Sequence, residues 1–333
     1  MSAAGGEAGG PDAGGADAGR VAFISSASCG LHDTGWHHPE HTGRLRAVLR
    51  AVGRDPELFG AVEHLEARQA TAEELALAHD PAYVERVRRL AEAGGGALDA
   101  DTRVSAGSYE AAAAGAGGAL DAVDRAFAAG VPNGGAARRS FVAVRPPGHH
   151  ALRASGMGFC LFGNAALAAL YARARHGAGR VLVVDWDVHH GNGTQAIVER
   201  DPEVRFVSMH QWPWYPGTGP AEDRGPHASI WNVPMPAGLA RARYVEAFTR
   251  AVDAATAGGW APDLVVVSAG FDSLAGDPLG GFTLEPEDVD GLTRQMRARA
   301  DALAGGRLVS VLEGGHAPER LGEAAAAHLR ALL

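Results

Sequence analysis

The chain has 333 residues, a formal net charge of -9 and a pI near 5.9. Hydrophobic residues are 46% and charged residues 21%, close to globular averages, which excludes a mainly disordered, collagen-like or coiled-coil chain. The acidic balance leaves no nucleic-acid footprint, no apolar run reaches the roughly 18 residues of a membrane span, and two cysteines, Cys29 and Cys160, make a disulfide framework unexpected and a cytoplasmic location the expected one.

Residues 1–19 are mostly Gly, Ala, Asp and Glu. Such a stretch buries too little apolar surface to order itself and is expected to be a disordered tail, and it lacks the basic start and apolar core of a signal peptide. From residue 20 to 333 a single domain is expected. Its strands are read at Val21–Ser25, Ser140–Val144, Val181–Asp185, Val204–Met209, Leu264–Ser268 and Leu308–Leu312. These runs are β-branched and do not alternate with polar residues, as in strands buried on both faces. Helical patterns lie at Ser108–Ala129, Asn164–His176, Gly191–Arg200, Arg241–Ala255, Pro286–Ala304 and Pro318–Leu333. Strand followed by helix, repeated, predicts a parallel sheet covered on both sides. Every basic residue is arginine, which reads as a bias of composition. Gly94-Gly95-Gly96 is a turn, since no Gly-Lys-Ser/Thr follows it.

In such sheets ligands bind at the carboxyl ends of the strands. The reactive residues fall there. His149-His150 follows one run, Asp185 to Gly193 the next, Ser208-Met209-His210 a third, Asp272 a fourth and Glu313 to His316 a fifth. Asp187 and His189, two apart at a strand end, are expected on one side. With Asp272 they make two carboxylates and one imidazole, the open ligand set of a catalytic zinc. Such a metal brings the pKa of bound water to roughly 7 and polarises a carbonyl. The tandem His149-His150 suits proton transfer. Asp185 and Asn192, one charged and one neutral, are candidate partners that would drive the two imidazoles apart in pKa. His210 reads as a residue behind the site, and Trp212 and Trp214 as lining the entrance or packing on the core.

Several long motifs in order carry a resemblance. They are Arg145 to His150, Gly158-Phe159-Cys160, Asn164, Asp185 to Gln195, Tyr215 to Gly219, Ala269 to Ser273, Gly276 to Leu279 and Leu312 to Gly315, with the match starting near His38-Pro39-Glu40. The chain resembles the histone deacetylase family, its class II branch and the bacterial histone deacetylase-like amidohydrolases above all. The resemblance implies an arginase/deacetylase-like three-layer α/β fold with an eight-stranded parallel sheet. It implies a zinc-dependent deacetylase with Zn2+ on Asp187, His189 and Asp272. It implies His149 backed by Asp185 and His150 backed by Asn192 as the acid/base pair. A structural K+ is implied on Asp185, the Ser208 hydroxyl and the backbone oxygens of Asp187, His189 and Met209, and a second near Val198, Asp201 and Val204. Phe159 and Tyr215 would wall a narrow channel, Leu279 would form its lip, and Asp101, Gly158, Gly314 and Gly315 would meet substrate.

One position departs from the pattern. Active members of the family carry tyrosine after the Glu-Gly-Gly run, whereas this chain has His316. Loss of one oxyanion donor costs about 100- to 1000-fold in rate, and class IIa members with the same histidine are weak on acetyl-lysine. The expected substrate is an acylated lysine-like peptide or small acylated amine, with plain acetyl-lysine a poor one. Leu279, in place of an acidic lip, disfavours acetylpolyamines. The alternatives are a catalytically weak acyl-lysine-binding module and a deacetylase of small metabolites. The sequence leaves the oligomeric state open.

Overall fold

The computed structural model describes residues 21–128 and 137–333. The expected tail at 1–19 lies outside them. The strands are β1 (Val21–Ser25), β2 (Val62–Glu66), β3 (Gly95–Ala97), β4 (Arg103–Ser105), β5 (Arg139–Val142), β6 (Val181–Asp185), β7 (Val204–Gln211), β8 (Ile230–Met235), β9 (Leu264–Ala269) and β10 (Leu308–Leu312). The helices are α1 (Gly43–Gly53), α2 (Pro56–Ala61), α3 (Ala72–Leu75), α4 (Pro81–Glu92), α5 (Ser108–Ala128), α6 (Asn164–His176), α7 (Asn192–Val198), α8 (Arg241–Ala255), α9 (Pro286–Leu303) and α10 (Pro318–Leu332).

An eight-stranded sheet runs in the order β2-β1-β5-β10-β9-β6-β7-β8. Every pairing in it is parallel, and β3 and β4 form a separate antiparallel pair. This is the arginase/deacetylase-like α/β fold. The inner strands read as expected because they are buried on both faces: β6, β9 and β10 are buried at every residue. The sequence reading missed both edge strands. β2 carries Glu63, His64 and Glu66 and is buried only at Val62, and β8 contains Pro234. An edge strand keeps one side wet and tolerates a proline that a central strand would not.

Helix α5 is Ala- and Gly-rich and buried almost all round. A Cβ on Gly118 would stand 3.0 Å from Val142 and from Ala67, so small residues there let the helix lie close to the sheet. No helix among the described residues is long and apolar enough to cross a membrane.

Candidate active site

Three chain segments end side by side on the carboxyl rim. In the sheet β9 lies between β6 and β10, so the loops after these strands share one hollow. Asp187 and His189 come from the first loop, Asp272 from the second and Gly314 from the third. The Asp187 and His189 side chains do not share a side through strand alternation, as the sequence suggested, because β6 has already ended at Asp185. The cause is a local turn in which Asp187 Oδ1 accepts the backbone N–H of His189 (2.9 Å), a device that Asp provides readily. His189 Nδ1 then lies 2.9 Å from Asp187 Oδ1 and 3.3 Å from Asp272 Oδ2. One ligand atom from each of the three residues lies within 4.8 Å of the other two.

Each remaining carboxylate oxygen is tied back. Gly314 N donates to Asp187 Oδ2 (2.8 Å) and Val188 N to Asp272 Oδ1 (2.8 Å). Asp272 Oδ2 is buried with no hydrogen-bond partner. A buried, unpaired carboxylate oxygen aimed at a second carboxylate and an imidazole is costly unless a cation stands there. The residues therefore fit a divalent metal.

The tandem histidines face the same hollow. His149 donates Nδ1–H to Asp185 Oδ2 (3.0 Å), and His150 donates Nδ1–H to the Asn192 amide oxygen (2.7 Å). Both rings are buried and stand 4.0 Å apart. Burial disfavours charge on both. At His149 the Asp187 and Asp185 carboxylates outweigh burial and hold the pKa well above the usual histidine value. At His150 burial and the neighbouring His149 push it well below. One carboxylate partner and one amide partner thus separate two otherwise identical groups.

Above them is a cavity of about 210 Å³. Phe159 and Tyr215 stand on its walls, with Leu279, Trp214, Asp101, Gly158 and Pro147 around them and His316 beside the three metal-ligand candidates. Phe159 has a φ of 69°, a left-handed conformation rare for a bulky residue. It is held there by hydrogen bonds from Gly158 N to Asp101 Oδ1 (3.1 Å) and from Phe159 N to Thr102 Oγ1 (3.1 Å). Trp214 donates Nε1–H to the Leu279 carbonyl (2.7 Å), which joins two sides of the mouth. His316 is buried, and neither ring nitrogen has a hydrogen-bond partner. Its Nδ1 is 3.4 Å from Asp277 Oδ1 and 3.7 Å from Asp272 Oδ2.

A histone deacetylase domain model matches residues 38–332. The chain belongs to the histone deacetylase family. It is 41% identical over 283 residues to the histone deacetylase-like amidohydrolase of Pseudomonas aeruginosa, covering 84% of this chain and 71% of that protein. It is 40% identical over 321 residues to human polyamine deacetylase HDAC10, covering 90% of this chain and 46% of the human protein. A crystal structure titled as the HDA15 HD domain superposes with a TM-score of 0.87 at 35% identity, covering 95% of this chain and 88% of that one.

Other expected residues of this deacetylase-family chain sit outside the cavity. Asp185 and Asn192 lie behind the histidines. Gly315 has a φ of 122°, its carbonyl accepts from Arg44 Nε (2.5 Å), and it is not among the residues that line the cavity. Ser208 is paired directly with Asp185 in the β6–β7 register, and Met209 follows it, both fully buried. Asp201, the centre of the second expected cation site, receives Arg173 Nε (2.6 Å) and Glu203 N (3.0 Å) on its carboxylate, and its carbonyl accepts Val204 N.

The sequence reading gave no role to the supports underneath. Glu40 is fully buried and receives Arg145 Nε (2.8 Å), Arg145 Nη2 (2.7 Å) and Arg44 Nη1 (3.0 Å). Arg44 also reaches the Glu313 carbonyl. Burial alone would raise the Glu40 pKa, but Arg145 and Arg44 outweigh it and hold it at about 2. This trio ties the turn before His149 to the turn before His316. The one available signal was Glu40 and Arg44 spaced four apart, as in a helical ion pair.

Proposed function

We propose that the chain is a zinc-dependent hydrolase that removes an acyl group from a linear N-acyl amine of the acyl-lysine type. The carrying observation is the convergence of Asp187, His189 and Asp272 with the His149–His150 pair at the base of an aromatic-walled cavity. Bound zinc supplies Lewis acidity toward a carbonyl and lowers the pKa of water.

The chain's own residues do the rest. Phe159 and Tyr215 clasp a straight alkyl segment and exclude water from it. Asp185 and Asn192 take the Nδ1–H groups, which leaves each Nε2 for the reacting groups. His150, backed by a neutral amide, accepts a proton from the attacking water and returns it to the departing amine. His149, backed by a carboxylate, stays protonated and steadies negative charge on the reacting carbon's oxygen.

The fully buried Asp185, Asp187 and Asp272 have only imidazoles as ion-pair partners among the described residues. That excess of negative charge supports a structural K+ on Asp185, Ser208 and Met209 as well as the zinc. Asp201, already taken by Arg173 and backbone groups, is not proposed as a ligand.

His316 favours a second reading, a pocket that binds acyl-lysine and turns it over slowly. A shorter imidazole gives less support to the oxyanion than a tyrosine hydroxyl. An activated acyl group such as trifluoroacetyl needs less of that help. Leu279 at the lip offers no charge to a second ammonium, which argues against polyamines. The test is hydrolysis of acetyl- and trifluoroacetyl-lysine peptides by wild type and His316→Tyr. The tyrosine variant is expected to gain about 100-fold on the acetyl peptide and less on the trifluoroacetyl one. Inactivity of both proteins on both peptides with zinc bound refutes the hydrolase.

A further inference from the structure

Glu313 follows β10 and its side chain is fully buried. Among the described residues no arginine or histidine pairs with its carboxylate. Oε2 instead accepts two backbone N–H groups, from Gly148 (2.6 Å) and His149 (3.1 Å), and Oε1 accepts the Ser268 hydroxyl (3.3 Å). Burial pushes its pKa up to about 7. A buried acid without a counter-charge is a poor way to gain stability, so its placement calls for another account.

The hydrogen bonds fall on the step leading into the first of two adjacent histidines. Neighbouring side chains on a chain point apart, and both rings face one cavity only where the turn beneath them is fixed. The opposite side of that turn has no slack. A Cβ on Gly148 would stand 2.5 Å from Asn164 N and 2.6 Å from Phe162 O. The turn is thus pressed against the start of α6 on one side and gripped by Glu313 on the other.

We propose that Glu313 is a positioning residue for the His149–His150 pair, fixing both imidazoles over Asp187, His189 and Asp272 by holding the N–H groups of Gly148 and His149. The proposal rests on the hydrolase reading above. Glutamine at this position keeps one oxygen for both N–H groups and can turn its NH2 toward the Ser268 hydroxyl.

The experiment compares Glu313→Gln, Glu313→Ala and Glu313→Met, the last of similar volume, as zinc-loaded proteins on a trifluoroacetyl-lysine peptide. Glu313→Gln is expected to stay within about threefold of wild type, while Glu313→Ala and Glu313→Met lose about 100-fold in kcat at nearly unchanged KM, the scale of a 1 Å misplacement. Zinc stoichiometry is expected to be unchanged in all three. A second readout needs no turnover: in histidine-labelled protein, the His149 Nδ1–H bonded to Asp185 gives a downfield proton signal. That signal is retained in Glu313→Gln and shifted or broadened in Glu313→Ala and Glu313→Met. His328, bonded to Thr293 (2.7 Å) and Ser310 (2.8 Å), keeps its signals wherever the core is intact. The proposal is overturned if Glu313→Ala or Glu313→Met keeps both kcat and the His149 signal, or if Glu313→Gln falls as far as they do with that signal in place. Absence of wild-type turnover would defeat the hydrolase reading alone, and the proton signal would still decide the role of Glu313.

Discussion

Gly314→Ala probes the metal centre from the backbone side. The φ of Gly314 is outside the left-handed region, so alanine brings no conformational strain. The obstacle is space. The new Cβ would stand 2.5 Å from Asp187 Oδ2 and closer still to Asp272 Oδ2, whereas real Cβ atoms essentially never come within 3.0 Å of a neighbour. Subtracting, 3.0 − 2.5 Å, each oxygen must retreat by at least 0.5 Å. Metal–ligand distances tolerate shifts of only about 0.2 Å, and changes merely adjacent to ligands already weaken metal affinity about 10- to 100-fold. Displacing two of three ligands should weaken zinc by about 100-fold or more. At a free zinc concentration about 100 times the wild-type Kd, zinc adds about 2.7 kcal/mol to wild-type stability and only a few tenths to such a variant. At about 2.1 cal/mol/K of unfolding entropy per residue, that corresponds to a thermal shift of about 4 °C in wild type. The assay is a competition titration with a chromophoric chelator, paired with melting curves with and without zinc. The apo proteins should melt close together. If Gly314→Ala binds zinc like wild type, the three residues do not hold the metal in the way argued here.

Other outcomes follow from the same structure. Glu40→Ala leaves Arg44 and Arg145 buried without their acid and should cost about 3–5 kcal/mol in urea unfolding; a loss below about 1 kcal/mol would show that the trio is not a support. Burial holds the pKa of His32 and His79 at about 4 and that of His328 at about 3. The unfolded chain takes up these protons below about pH 6.5 while the folded chain does not, so stability is full above that pH and falls as pH drops toward 4, by up to about 3 kcal/mol per histidine. Denaturant midpoints measured from pH 7 down to pH 4.5 check this, and a flat profile contradicts it. Leu279→Glu places a carboxylate at the lip and should raise the preference for an N-acetylated diamine over a neutral acetamide by roughly fivefold, the worth of about 1 kcal/mol for a partly exposed pair. An unchanged ratio of kcat/KM values would remove Leu279 from the determinants of specificity.

The residues that can be read from sequence are those whose neighbours along the chain report on them. β6 and β10 announced themselves as short runs dominated by Val and Leu, and the metal-ligand candidates stood at strand ends where ligands gather. β2, with the sequence Val-Glu-His-Leu-Glu, is hidden by its three polar residues, and β8 by Trp231 and Pro234. Helices α1 to α4 went unread, although the starts of α2, α3 and α4 are marked. Asp55 and Asp80 each precede a proline and accept a first-turn N–H, and Thr71 with Glu74 forms a capping box. Arg44 and Gly315 are 271 positions apart, and Glu313 meets Gly148 from 165 away. No local spacing records such contacts, so the supports beneath the site came to light only in three dimensions.

The strand order also bears on how the molecule is made. β10, last of the strands along the chain, is the bridge between β5 and β9, so during synthesis two half-sheets await their keystone, each with an apolar flank uncovered. Truncation ahead of residue 308 would divide the protein through its middle, and nascent chains halted there should be unusually dependent on chaperones.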